Sequence, residues 1–142
     1  MKPGPARLRL ESYPRTKEVP IRFSDLDVFR HVNNVAAGQF YDEARFELLS
    51  EAYRVTGTRG RLVIANFDVA YLREAKYPGT ITVGSGTVRI GTRSLVLGQA
   101  LFLGGHCIGA ADSVVVAVDD SGGIPVPDAV KAFFAALMLP EA

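Results

Sequence analysis

Residues 17–23 (KEVPIRF) set Val19, Ile21 and Phe23 among charged residues and read as a short strand candidate. Pro20 lies inside that run, and proline donates no ladder hydrogen bond, so the strand is expected at a sheet edge or a bulge. Further on the spacing becomes helical. Ala37, Phe40, Tyr41, Ala44 and Leu48 recur three and four residues apart, one apolar stripe of a helix. Glu43, Glu47 and Glu51 make a polar stripe beside it. Asn33 and Asn34 are both N-cap types, and either can start this helix. It is expected to end near Tyr53, before the loop residues Gly57 and Gly60. Phe46 and Leu49 lie off the main stripe, so the helix is apolar on more than one side and is expected to be wrapped by other elements.

Four strand-like runs follow, over residues 62–72, 80–90, 94–103 and 106–118. Tyr77-Pro78-Gly79, Gly91-Thr92 and Gly104-Gly105 punctuate them and read as hairpin turns. Gly84, Gly86 and Gly98 interrupt the runs and are expected to let the strands bend. Asp119 to Gly123 reads as a turn, and residues 127–137 as a short helix with Pro127 near its first position. Residues 1–15 show no periodicity and are expected to be a flexible N-terminal tail, with residues 16–142 forming a single domain. The expected class is α+β: an antiparallel sheet of about five strands wrapped around one long central helix.

Composition narrows the function. At 142 residues the chain is one domain's length, and 48% hydrophobic with 22% charged residues is a globular balance. A net charge of +1 lacks the basic footprint of a nucleic-acid binder. A single cysteine excludes an internal disulfide framework and a CxxC zinc site. The N-terminus has no apolar signal region, and the uncharged stretch 94–111 contains Gln99, His106 and Gly104-Gly105, so it reads as a hairpin rather than a membrane span. A soluble cytoplasmic protein is expected. There is no GxSxG, P-loop, GxGxxG or HExxH. His106 and Cys107 are strand neighbours, whose side chains point to opposite faces and cannot pair.

Chemistry concentrates between Arg22 and Asn34. That segment holds Asp25, Asp27, His31, Asn33 and Asn34 and runs directly into the start of the long helix. A helix start presents unpaired N–H groups and a positive dipole end, which polarise a carbonyl and stabilise an oxyanion. A carboxylate just upstream can act as nucleophile or general base on the same carbonyl. One loop can thus supply both halves of an acyl-transfer site. The plainer reading makes the asparagines caps and the aspartates a solvated turn. A metal reading, with Asp25, Asp27 and His31 as ligands, lacks the further ligands that calcium or zinc requires.

The motif Asp27-x-x-x-His31-Val32-Asn33-Asn34-Val35, followed by Phe40-Tyr41-Asp42-Glu43-Ala44-Arg45, resembles the hotdog-fold acyl-CoA thioesterases of the 4-hydroxybenzoyl-CoA thioesterase type. The order of elements over residues 17–137 fits that family, and Ile90-Gly91-Thr92-Arg93-Ser94 adds to the likeness. SDLDxxxHVNNV is also similar to the matching segment of plant acyl-ACP thioesterases. The resemblance implies a hotdog fold that hydrolyses acyl-CoA or acyl carrier protein thioesters, with no metal or redox cofactor. It implies Asp27 as the catalytic carboxylate and Asn34 as the helix-start residue whose N–H faces the thioester oxygen. His31 matches the histidine of the acyl-ACP branch, and Glu74 that branch's network glutamate. Ser94, Arg93 and Asn33 fall among the substrate-binding positions, with Arg93 toward the nucleotide. Phe29 departs from the acyl-ACP branch, which has a catalytic asparagine there, and so favours the simpler mechanism of aspartate plus helix start. Arg59 with Arg61, Arg73 with Lys76, and Arg89 with Arg93 are candidate contacts for coenzyme A phosphates or an acidic carrier protein. The resemblance also implies a homodimer or homotetramer with sites built from two subunits. The rival is a non-catalytic acyl-CoA-binding hotdog module; the presence of Asp27 points to hydrolysis.

Overall fold

A computed structural model describes residues 1–141. Its elements are β1 (Arg15–Pro20), α1 (Asn34–Thr56), β2 (Arg61–Tyr71), β3 (Thr80–Ile90), β4 (Ser94–Leu103), β5 (His106–Asp119), β6 (Gly122–Ile124) and α2 (Asp128–Ala135). All strand pairings are antiparallel, in the order β1-β3-β4-β5-β2, with β6 added to β5. This is the expected architecture with one strand more, because the end of the Asp119–Gly123 turn itself pairs with β5.

The apolar stripe of α1 decides the layering. Phe40, Tyr41, Ala44, Leu48 and Ala52 are buried. They pack on alternate residues of the sheet: Ile81 and Val83 of β3, Leu97 and Leu101 of β4, Ala111 and Val115 of β5. Between α1 and the sheet the core has two apolar clusters, separated by a polar seam. There Gln99 Nε2 donates to the Tyr41 carbonyl and to Ser85 Oγ, both at 3.1 Å, and Arg45 Nη1 donates to Ser113 Oγ at 3.0 Å. Leu49 joins the core as the off-stripe reading expects. Phe46 does not: it is 71% exposed on the side of α1 that the sheet leaves open. The helix runs three residues past Tyr53 and stops at Gly57, whose φ of 65° is the left-handed conformation that glycine adopts without strain.

Two expectations are corrected. Tyr77-Pro78-Gly79 is not a hairpin turn, because β2 pairs with β5 and never with β3. The residues between β2 and β3 form a crossover to the other side of the sheet. Local turn chemistry there announced a break in the chain but not the partner across it.

The N-terminal residues are not a loose tail. They fold back as two 3-10 turns, Pro5–Leu8 and Leu10–Ser12, onto the outer face of the sheet. Arg7 is buried there, its Nη2 2.8 Å from Asp112 Oδ1, and its Nε donates to Tyr13 Oη at 3.0 Å. Tyr13 Oη in turn donates to the Arg7 carbonyl at 2.7 Å. The strand glycines receive this segment: a Cβ on Gly84 would lie 2.6 Å from the Tyr13 ring, and one on Gly98 2.9 Å from the Arg7 guanidinium carbon. Close approach, rather than bending alone, accounts for them. Among the described residues no helix is long and apolar enough to cross a membrane.

Overpacking a site this close costs roughly 1–3 kcal/mol, so Gly84→Ala should lose about that much stability in chemical denaturation. The loss should shrink in a Tyr13→Ala background, because the clash partner is gone. An equal loss in both backgrounds would contradict the packing account.

Candidate active site

Asp25 builds the loop that carries the motif. Its buried carboxylate accepts Arg22 N at 2.7 Å and Arg22 Nη2 at 3.0 Å, while its carbonyl accepts Asn33 N at 2.9 Å. Both ends of the loop are thereby tied together. Inside it, Asp27 N donates to the His31 carbonyl at 3.0 Å, and Arg30 N donates to the Asp27 carbonyl at 3.0 Å. The turn closes only with Arg30 at φ 63°, in the left-handed region. Val32 N donates to the Ala75 carbonyl at 2.8 Å, which fastens the loop to the crossover segment.

This geometry orients the Asp27 carboxylate. Its Oδ1 accepts Phe29 N at 2.9 Å and His31 N at 3.3 Å. Among the described residues nothing bonds Oδ2, the oxygen left for chemistry.

The start of α1 is equally specific. Asn33 is the N-cap, and its Oδ1 accepts Val35 N at 2.7 Å and Ala36 N at 3.2 Å. Asn33 N is taken by Asp25. Of the helix's four initial N–H groups, the one on Asn34 is left without an acceptor among the described residues. Asn33 thus uses its side-chain oxygen as a cap.

A cavity of about 590 Å³ opens beside these groups. Asp27, His31, Asn34 and Glu74 all line it, together with the apolar Ala37, Leu101 and Ile108. His31 Nε2 is 3.3 Å from Glu74 Oε2. Glu74 sits in the crossover after β2 rather than on a strand. Phe29 lines the cavity too, with its ring largely exposed.

Ser94 and Arg93 are not brought here within this chain. Ser94 starts β4, seven residues and about 23 Å from the cavity-lining Leu101. Arg93 Nη1 instead reaches the Gly123 carbonyl at 3.5 Å. Among the described residues no group of three His, Cys, Asp or Glu side chains is placed to hold a metal ion. Asp25, which the metal reading requires, is committed to Arg22. Sequence reading missed Tyr41 and Gly109 as cavity residues. The signal for Tyr41 was present: it lies seven residues after Asn34, on the same helix face.

A family model for the thioesterase-like superfamily matches residues 21–134. The chain belongs to this superfamily. It is a thioester hydrolase of the hotdog fold. Long-chain acyl-CoA thioesterase FadM of Escherichia coli (strain K12) is 28% identical over 104 residues, 71% of this chain and 79% of FadM. A thioesterase from Thermus thermophilus, solved with coenzyme A and zinc, superposes with a TM-score of 0.78 at 27% identity, covering 86% of this chain and 98% of that one. A predicted thioesterase from Bacillus stearothermophilus gives a TM-score of 0.81 at 25% identity, covering 89% and 98%.

Losing an N-cap side chain costs about 1 kcal/mol, so Asn33→Ala of this hydrolase should lower Tm by several degrees in calorimetry. An unchanged Tm would show that the cap bonds carry no stability.

Proposed function

We propose that this thioesterase hydrolyses acyl-CoA in the 590 Å³ cavity, with Asp27 as nucleophile or general base and the Asn34 N–H polarising the thioester carbonyl. The observation that carries the reading is the pairing of one oriented carboxylate with one unspent helix N–H in the same cavity. With the carbonyl oxygen on the Asn34 N–H, carbon becomes electrophilic and the forming oxyanion meets the positive helix end. As a base, Asp27 takes a proton from water while the water oxygen attacks carbon. The tetrahedral intermediate then expels the coenzyme A thiolate, leaving the acid. As a nucleophile, Asp27 displaces the thiolate itself and forms an anhydride that water opens to the same products. His31 and Glu74 are assigned as an assisting pair. The chemistry draws on a carboxylate, water and a backbone N–H, so the reading assigns no metal or redox cofactor.

Coenzyme A in the Thermus relative supports CoA over an acyl carrier protein as the carrier. Arg73 lines the cavity, so this reading assigns it to the coenzyme A phosphates. A cytoplasmic location goes with this reading. So does a homodimer, or a homotetramer built from it. β2 is an edge strand eleven residues long, and Val63, Ile64 and Phe67 on it are exposed, as is Phe46 of α1. Such an edge is a template for pairing with a second copy. Arg93 and Ser94, distant in this chain, would then serve the partner's site.

The test is release of free thiol from a panel of acyl-CoAs. The wild type should turn over at least one of them, and Asp27→Asn should lose ~10²-fold or more in kcat with Tm retained. Near wild-type turnover by a folded Asp27→Asn contradicts the assignment. Binding of acyl-CoA without turnover by the wild type would make the chain a binding module instead.

A further inference from the structure

Tyr41 is 1% exposed, and its hydroxyl has no hydrogen-bond partner among the described residues. A buried hydroxyl left unpaired is costly, and native structures nearly always supply a partner. Tyr41 lines the proposed catalytic cavity, and so does Gly109. The hydroxyl lies against Gly109, so close that a Cβ there would be 2.8 Å from the phenol oxygen. Glycine at that point on β5 makes room for the hydroxyl at the cavity wall.

The ring is held in place. It packs edge-on to Phe67 with centroids 5.7 Å apart, and Gln99 Nε2 ties the Tyr41 carbonyl at 3.1 Å. Its depth follows from helix geometry. Tyr41 is two turns beyond Asn34 on the same face, about 10 Å further along the axis. Ala37, Leu101 and Ile108 supply apolar wall around it, and Tyr71 lines the same cavity from the end of β2. An acyl chain whose carbonyl rests on the Asn34 N–H and that follows the helix face past Ala37 would therefore approach the unpaired Tyr41 hydroxyl.

We propose that the Tyr41 hydroxyl is a specificity-determining donor that selects acyl groups carrying an oxygen function, hydroxyl or carbonyl, away from the thioester. This rests on the thioesterase reading above and adds the substrate class. An oxygenated chain that reaches the phenol satisfies it; a plain hydrocarbon chain leaves it unpaired. Burial also pushes the phenol's pKa well above its ordinary value. The group therefore stays protonated and able to donate across the working range.

The experiment uses straight-chain acyl-CoAs of one carbon number, unmodified or with a hydroxyl or oxo group moved position by position. The readout is kcat/KM from thiol release, taken as the ratio of oxygenated to unmodified substrate on the same enzyme. In the wild type, one position should exceed the unmodified chain by ~10-fold or more, the worth of one satisfied buried hydroxyl. In Tyr41→Phe that ratio should collapse toward one. Gly109→Ala, which displaces the hydroxyl while keeping it, should reduce the ratio as well. A purely structural role for the phenol would change overall activity but leave the ratio alone. A wild type that hydrolyses all substrates with a flat ratio overturns this inference and leaves the thioesterase reading standing. A preference unchanged in both variants also overturns it. A wild type that hydrolyses no acyl-CoA overturns both.

Discussion

Four backbone N–H groups at the start of the central helix have no carbonyl one turn earlier to bond. How they are satisfied organises this site. Asn33 N goes to the Asp25 carbonyl, and the Asn33 side chain takes the second and third helical N–H groups. One donor remains, on Asn34, where α1 borders the cavity with Asp27. A less complete cap would leave several competing donors and a less defined position for a carbonyl oxygen. The loop is shaped by the same constraint. Asp25 grips Arg22 with its carboxylate and Asn33 with its carbonyl, so the segment between must close tightly enough to put Arg30 in a left-handed conformation. That closure brings the Phe29 and His31 N–H groups onto one oxygen of Asp27.

The sheet does the complementary work of positioning α1. Its inner face accepts the helix stripe, and a polar seam of Ser85, Gln99 and Ser113 registers the helix through the Tyr41 carbonyl and Arg45. Its outer face is covered by the N-terminal residues and Leu139, which come close to the strands where Gly84, Gly86 and Gly98 carry no side chain. The cavity is thus backed on both sides of the sheet by packed structure, and the end proposed for catalysis lies at a helix start rather than on a free loop. Preorganised donors of this kind stabilise developing charge without moving at the moment of reaction.

Much of this was legible in the chain because the signals are periodic. The stripe from Ala37 to Leu48 located α1, and strand-like runs between turn residues located the long strands nearly to the residue. The HVNN segment pointed to a candidate site, and Asp27, His31, Asn34 and Glu74 line one cavity. What stayed hidden depends on contacts distant in sequence. The N-terminal turns follow no period of their own; what holds them is an Arg7–Asp112 ion pair and glycines on other strands. The pairing of β2 with β5 cannot be read from the turn residues between β2 and β3. The division of labour between Asn33 and Asn34 is a matter of one residue and emerges only when each N–H is traced to its acceptor. Tyr41 read as core, which it is; that its hydroxyl lacks a partner is a property of the packed structure.

The central claim is that a single backbone N–H, not a side chain, holds the thioester oxygen. Asn34→Pro against Asn34→Ala tests it most directly. Proline is favoured at the first helical position, and Asn33 at φ −74° and ψ 152° already has the extended conformation of a residue before proline. Removing an N–H that bonds nothing in the free protein should leave Tm nearly unchanged. The account predicts that folded Asn34→Pro loses ~10²–10³ in kcat, the cost of one oxyanion donor, while Asn34→Ala stays near wild type. Near wild-type kcat in Asn34→Pro, or an equal loss in Asn34→Ala, would contradict it.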